Sequence, residues 1–226
     1  MEDSEGTAVK VTSIVLCGGK ERRFGANKAL AMVAGEKVIN RVIDRLEPLS
    51  DQILVVTSAE KTDLPVRGIA RVLVDRYPGK GPLGGIYTGL LAAQSDLAIV
   101  LGCDMPFINN RLLERMLEVA DSFDAVIPRL DGGMIEPLHA VYARRCAQDI
   151  KARLENDRLS ITQLIRELNV RYLEKREYLP LDPQLLSFFN INYPEDLERA
   201  NKLAAEADAR VPVRERRNLP NQPGPS

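Results

Sequence analysis

The stretch VTSIVLCGGKERRFGANKAL, Val11 to Leu30, decides how the rest of the chain is read. It opens on Val11 to Leu16, a β-rich run whose apolar side chains occupy both faces of an extended chain, the pattern of a strand buried on two sides. It then breaks into a long loop, Leu16 to Leu30, with glycines at Gly18, Gly19 and Gly25 and cations at Lys20, Arg22, Arg23 and Lys28. Glycine lets backbone N–H groups approach a phosphate closely, while arginine adds a planar fork of donors and lysine a mobile point charge. The loop lacks the Gly-x-Gly-x-x-Gly of dinucleotide sites, and no glycine precedes a lysine and Ser/Thr pair as in a P-loop. A solvated βα loop is the plain alternative, but so many cations among glycines repel one another unless an anion or an acid is near.

Working outward, further β-rich apolar runs stand at Ile53 to Thr57, Arg71 to Val74 and Leu97 to Leu101. Between them Val38, Ile39, Val42, Ile43 and Leu46 share one helical stripe, and Leu112, Leu113, Met116, Leu117 and Ala120 another. Strands alternating with helices predict a three-layer, doubly wound α/β fold with a mostly parallel sheet. Ala125 to Pro128 and Leu138 to Tyr142 read as strands around the turn-like Asp131, Gly132 and Gly133, with no room for a crossover helix. One reversed strand near a sheet edge is therefore expected. Ser160 and Gln163 form a capping-box signature for a helix carrying Ile161, Leu164, Ile165 and Leu168. The last helix is expected from Pro194 to about Ala207, with Glu195 and Asp196 at the positive end of its dipole. The organisation expected is a flexible N-terminus over 1–8, a single domain over 9–207, and a disordered tail over 208–226, where Arg, Pro, Asn and Gly replace apolar residues.

In a doubly wound sheet the ligand crevice lies beyond the carboxyl ends of the strands. Two acids fall there: Asp104, in VLGCDMPFI after the fourth strand, and Asp75, closing the third. A carboxylate at Asp104 suits magnesium held jointly with phosphate oxygens, and it suits equally a turn-capping role before Pro106. Gly81, Gly84 and Gly85, in the segment Tyr77 to Leu90, permit close approach to a ring or phosphate, or else form a lid.

The 226 residues carry 31 Lys and Arg against 32 Asp and Glu, a net charge of −1, so no global field argues for nucleic acid or an anionic membrane surface. With a single histidine, His139, a histidine metal cluster is excluded. A hydrogen-bonded structural role for His139 is the simpler reading, a substrate contact the sharper one. Three cysteines, Cys17, Cys103 and Cys146, form no CxxC pattern, and with an acidic N-terminus and no long apolar run they predict a reduced, cytoplasmic protein outside the membrane. Cys17 and Cys103 would end neighbouring strands, where packing is the ordinary reading and mutual oxidation a hypothesis.

Taken together, LCGGKERRFGANKAL, Asp75 with GPLGG, CDMPFI, EPLHAVY (Glu136 to Tyr142) and FFNINYPEDL (Phe188 to Leu197) resemble the molybdenum cofactor guanylyltransferases. These belong to the nucleotide-diphospho-sugar transferase type of nucleotidyltransferase. The resemblance spans about Thr12 to Ala204 and implies transfer of GMP from GTP to the terminal phosphate of molybdopterin, with or without molybdenum, releasing pyrophosphate. It implies Mg2+ at Asp104, catalytic roles for Arg23, Lys28 and Asp104, and GTP contacts at Leu16, Cys17, Gly18, Gly19, Lys28, Thr57, Asp75, Gly81, Gly85 and Asp104. Asn190 and Asn192 match positions linked to molybdopterin. Other molybdenum cofactor biosynthesis proteins or acceptor molybdoenzymes are implied as partners.

Four positions depart from the family pattern. Cys17 and Phe24 keep apolar character; Asn27 loses a charge beside Lys28; Tyr193 replaces a better helix N-cap, a loss of roughly 1 kcal/mol unless Asn192 caps instead. Thr57 also stands where some members have Asn, leaving base or ribose recognition less fixed than phosphate binding. The rivals are a cytidylyltransferase of the same cofactor or of another small phosphorylated substrate, and a non-catalytic nucleotide-binding regulator. The Gly18-Gly19 pair and Cys103-Asp104-Met105-Pro106 favour guanine.

Overall fold

The structure is a computed structural model that describes residues 11–18 and 28–210, with side chains described through 207. Gly19, Lys20, Arg22, Arg23, Phe24, Gly25 and Asn27, the segment 1–8 and the residues beyond 210 lie outside the described residues.

The first half of the chain runs β1 (Thr12–Leu16), the short hairpin β2 (Met32–Val33) and β3 (Glu36–Lys37), α1 (Val38–Leu46), β4 (Gln52–Thr57), β5 (Ala70–Val74), α2 (Pro82–Ala92) and β6 (Leu97–Gly102). The second half runs α3 (Asn110–Glu118), β7 (Ala125–Pro128), β8 (His139–Ala143), α4 (Cys146–Glu155), α5 (Ile161–Glu167), β9 (Val170–Leu173), the short α6 (Lys175–Tyr178) and α7 (Pro194–Arg210). Seven strands form one sheet in the order β5-β4-β1-β6-β8-β7-β9. β8 is antiparallel to both neighbours, and every other adjacent pair is parallel. This is the expected mostly parallel sheet with its reversed strand, set third from one edge.

Alternate residues of the strands feed two cores. Val15, Ile53, Val55, Ile99 and Leu101 pack with α1, α3 and α7 on one face. Ile14, Leu16, Val56, Ala98 and Val100 pack with α2, α4 and α5 on the other. The five apolar residues of the predicted α1 stripe are all fully buried. β5 is an edge strand whose Val74 is 47% exposed, so it is not buried on both faces as its composition suggested.

Three local readings are corrected by the structure. Pro82 to Ala92 is a helix rather than a loop or lid, with Gly81 at its N-cap in a positive-φ conformation (φ 69°) that favours glycine. Ser160 Oγ accepts the Gln163 N–H at 3.3 Å, but Gln163 Oε1 takes a hydrogen bond from Arg153 Nη2, so the capping box is half formed. At α7, Asn192 does not cap through its side chain. Asp196 reaches back, and its Oδ2 accepts the N–H groups of both Asn192 and Tyr193 at 2.8 Å.

The winding fixes where a ligand can sit. The chain moves from β1 outward through β4 to β5, and α2 then returns it to β6 on the other side of β1. The strand order reverses between β1 and β6, which opens a crevice at their carboxyl ends.

Candidate active site

A cavity of about 590 Å³ occupies that crevice, a size suited to a nucleotide. Its walls come from the ends of β1 (Leu16, Cys17, Gly18), β4 (Thr57, Ser58, Lys61), β5 (Asp75), β6 (Gly102, Cys103, Asp104), the α2 entry (Gly81, Gly85) and Lys28. Every described residue that the family resemblance implies for GTP, namely Leu16, Cys17, Gly18, Lys28, Thr57, Asp75, Gly81, Gly85 and Asp104, lines this one cavity. Arg23 and Gly19 lie outside the described residues.

Backbone bonds between strand ends set the frame. Cys17 N–H donates to the Val56 carbonyl at 2.8 Å, Cys103 N–H to the Leu16 carbonyl at 3.1 Å, and Asp75 N–H to the Thr57 carbonyl at 2.8 Å. The Thr57 hydroxyl donates to the Cys17 carbonyl at 3.3 Å. Thr57 therefore braces the start of the glycine loop, and its side chain is buried.

The charged centre is Lys28. Its Nζ lies 3.3 Å from Asp104 Oδ2 and donates to Asn192 Oδ1 at 2.7 Å. Three segments far apart in sequence thus meet at one ammonium group. Asp104 is held from behind, because its carbonyl accepts the Ile191 N–H at 2.9 Å, which ties the β6 end to the strand of chain entering α7. Asn190 is not part of this contact. Its amide turns back to the Phe188 carbonyl at 3.3 Å, so the two asparagines have different partners.

Asp75 accepts hydrogen bonds at Oδ1 from the Tyr77 N–H (2.9 Å) and the Thr88 hydroxyl (3.1 Å). The glycines near it serve packing. A Cβ at Gly84 would come within 2.9 Å of Asp75 Oδ2, and one at Gly85 within 2.9 Å of Leu16 Cδ2. Gly85 thus lets α2 sit against the end of β1, and Gly84 leaves room for the Asp75 carboxylate.

Several residues around the site were not among the site residues expected from sequence. Lys61 and Ser58 lie one turn past β4, and Leu138 closes the wall from the start of the reversed strand. Glu136 sits nearby, its carboxyl pushed up by burial and by the Asp104 charge, and pulled partly back by the Leu138 N–H. The strand-end rule alone could have pointed to Lys61; Leu138 and Glu136 lie in the EPLHAVY motif, but their place at the cavity follows from the reversal of β8. Burial, with contact from the Cys103 thiol, raises the Cys17 thiol well above its ordinary range. His139 is outside the cavity, wholly buried and edge-on to Phe188 at 5.2 Å. Its ring nitrogens make no hydrogen bond of ordinary geometry, and the Ser187 backbone is the polar group that acts on the ring, so the structural role expected for His139 rests more on packing than on hydrogen bonding.

The sequence profile of the MobA-like NTP transferase domain matches residues 13–172. The chain belongs to the MobA-like NTP transferase family. It is 38% identical over 193 residues to the molybdenum cofactor guanylyltransferase of Desulfosudis oleivorans, a match covering 84% of this chain and 94% of that one. The crystal structure of molybdopterin-guanine dinucleotide biosynthesis protein A from Archaeoglobus fulgidus superposes with a TM-score of 0.76 at 32% identity, covering 87% of this chain and 99% of that one. The 2-C-methyl-D-erythritol 4-phosphate cytidylyltransferase of Thermus thermophilus has a TM-score of 0.63 at 20% identity, covering 87% and 98%, and shares the fold. This MobA-like chain is a nucleotidyltransferase, and its sheet is that of the nucleotide-diphospho-sugar transferase fold.

Proposed function

We propose that the protein transfers GMP from GTP to the terminal phosphate of molybdopterin, in the cytoplasm, with release of pyrophosphate. The observation that carries this reading is the meeting of Lys28, Asp104 and Asn192 at the mouth of a nucleotide-sized cavity, in a chain whose curated relatives are named guanylyltransferases.

The nucleophile is an oxygen of the acceptor phosphate, already anionic at neutral pH, so no side-chain base has to be supplied. What the protein contributes is alignment and charge stabilisation for an in-line displacement at the α-phosphorus. Leu16, Cys17, Gly18 and the Gly81–Gly85 segment would enclose the nucleotide, with Thr57 and Asp75 at its far side. Lys28, joined by Arg23, would offset the charge developing on the pyrophosphate. Asn192, fixed to Lys28, would bring the molybdopterin phosphate to the same cation.

Among the described residues no group of three or more His, Cys, Asp or Glu could hold a metal by itself. That fits magnesium, which keeps its waters and binds through one or two carboxylates plus substrate phosphates. Asp104 is the residue that would hold Mg2+, whose role when bound is to neutralise phosphate oxygens.

The test is pyrophosphate release from GTP, CTP and UTP, with and without molybdopterin. Release that needs both GTP and molybdopterin is expected; a preference for CTP moves the protein to the cytidylyl branch, and binding without turnover makes it a regulator. Asp104→Ala is expected to lower turnover by at least about a hundredfold with an unchanged circular dichroism spectrum. Near-normal turnover in that variant removes Asp104 as the metal ligand.

A further inference from the structure

We infer that Cys17 and Cys103 form a reversible disulfide that closes the nucleotide cavity, making the strand ends themselves a thiol-oxidation site. β1 and β6 are parallel neighbours with Leu16 opposite Gly102, so the next residue of each, Cys17 and Cys103, forms the next pair across. The Cys103 N–H bond to the Leu16 carbonyl at 3.1 Å carries the pairing that far. Adjacent strands lie roughly 4.8 Å apart, inside the roughly 4.4–6.8 Å Cα separation that a disulfide spans. Both side chains point to the same face of the sheet, since Cys17 and Cys103 pack into the core that also holds Val15 and Leu101. Both thiols are free, and both residues line the same cavity. The third cysteine, Cys146, belongs to the opposite core and cannot substitute.

Access gives the order of events. Cys103 is half-buried and Cys17 buried, so a hydroperoxide from solvent meets Cys103 first. The Cys103 sulfur takes one peroxide oxygen to become a sulfenic acid, the rest leaving as an alcohol or water. The Cys17 sulfur then attacks the Cys103 sulfur: the S–S bond forms as the S–O bond breaks, and the Cys17 thiol proton leaves with the hydroxyl as water. The two sulfurs lose two electrons in total and the peroxide gains them. The bond draws the sulfurs to roughly 2.05 Å. Cys17 adjoins Gly18 and Cys103 adjoins Asp104, so this shift disturbs the phosphate loop and the Lys28–Asp104 contact together. The effect on nucleotide binding rests on the reading of the cavity as the GTP site; the bond itself does not.

The experiment treats the full reduced chain with hydrogen peroxide, maps thiols by alkylation and peptide mass, and measures GTP binding before treatment, after it, and after dithiothreitol. A Cys17–Cys103 cross-linked peptide is expected, with GTP affinity falling at least tenfold and returning on reduction. Cys103→Ser, compared with its own untreated state, should keep its GTP affinity through the same treatment. Two separately alkylated thiols after peroxide overturn the proposal, and so does a mapped cross-link with undiminished GTP binding. A mapped cross-link in a protein whose reduced form binds no GTP leaves the thiol site standing and overturns the function reading instead.

Discussion

Asn192 and Asn190 sit two residues apart, yet only Asn192 reaches the charged centre, through Lys28 Nζ at 2.7 Å. Hydrogen bonds to charged groups contribute about 1.5–3 kcal/mol, so Asn192→Ala is expected to lower kcat/KM for molybdopterin by roughly tenfold to a hundredfold. Asn190→Ala removes only a bond to the Phe188 carbonyl and should stay within about threefold of the parent. Steady-state kinetics with molybdopterin varied will separate them; equal losses in both variants would contradict the assignment. His139 poses a different single-residue question. Burial holds its pKa down at about 4, the Ser187 backbone opposing only part of the shift. Above the unfolded value of about 6.5 the ring is neutral in both states and its titration changes nothing. Between about 6.5 and 4 the unfolded chain binds a proton that the folded protein refuses, so stability falls with pH through that window, by about 3 kcal/mol in all. His139→Leu lacks this proton uptake. Urea unfolding at successive pH values from 7 to 4.5 should show a clearly smaller loss in the variant, and parallel curves would rule the effect out.

α2 shows what a helix can demand of sequence and why it is hard to read. A Cβ at Gly89 would stand 2.5 Å from Ile14 Cγ2, so helix and β1 touch through the missing side chain. Alanine improves helix propensity by about 1 kcal/mol, but here it must push α2 off the strand, and overpacking typically costs about 1–3 kcal/mol. Gly89→Ala is therefore expected to be net destabilising by up to about 2 kcal/mol in urea titration; a more stable variant would show that the contact yields freely. Gly81, Gly84 and Gly85 made this segment read as a loop or lid, although Gly84 and Gly85 serve packing and not backbone freedom, and a helix buried on most sides has no polar stripe to reveal it. The strands β1, β4 and β6 and the helices α1 and α3 were legible within a residue or two from apolar pattern alone. β9, VRYL, was not: it lies at a sheet edge with most of its residues half-buried, and an edge strand of mixed polarity leaves little periodic trace. In the site, the strand-end residues could be foreseen from topology. The link from Lys28 to Asn192 spans 164 positions, and no local pattern encodes it.

At the scale of the molecule, near-zero net charge hides an uneven distribution. Lys28, Lys61, Asp75 and Asp104 all face one crevice, and the strands that build it also divide the protein into two cores, with Val15 of β1 in one and Ile14 in the other. A ligand gripping the ends of β1, β4, β5 and β6 should therefore stabilise both cores equally, since neither unfolds without losing the sheet. Binding to the folded state alone at a concentration about a hundredfold above Kd contributes about 2.7 kcal/mol. For a chain of this length that corresponds to a rise in Tm of roughly 5–10 °C. In native-state hydrogen exchange, GTP with magnesium should slow the most protected amides of α1 and of α4 by the same factor, roughly a hundredfold. CTP at the same concentration should give a smaller factor, again equal on the two faces. Protection gained by α1 but not α4 would mean that the layers on opposite faces of the sheet open independently, and that the site is coupled to one core only.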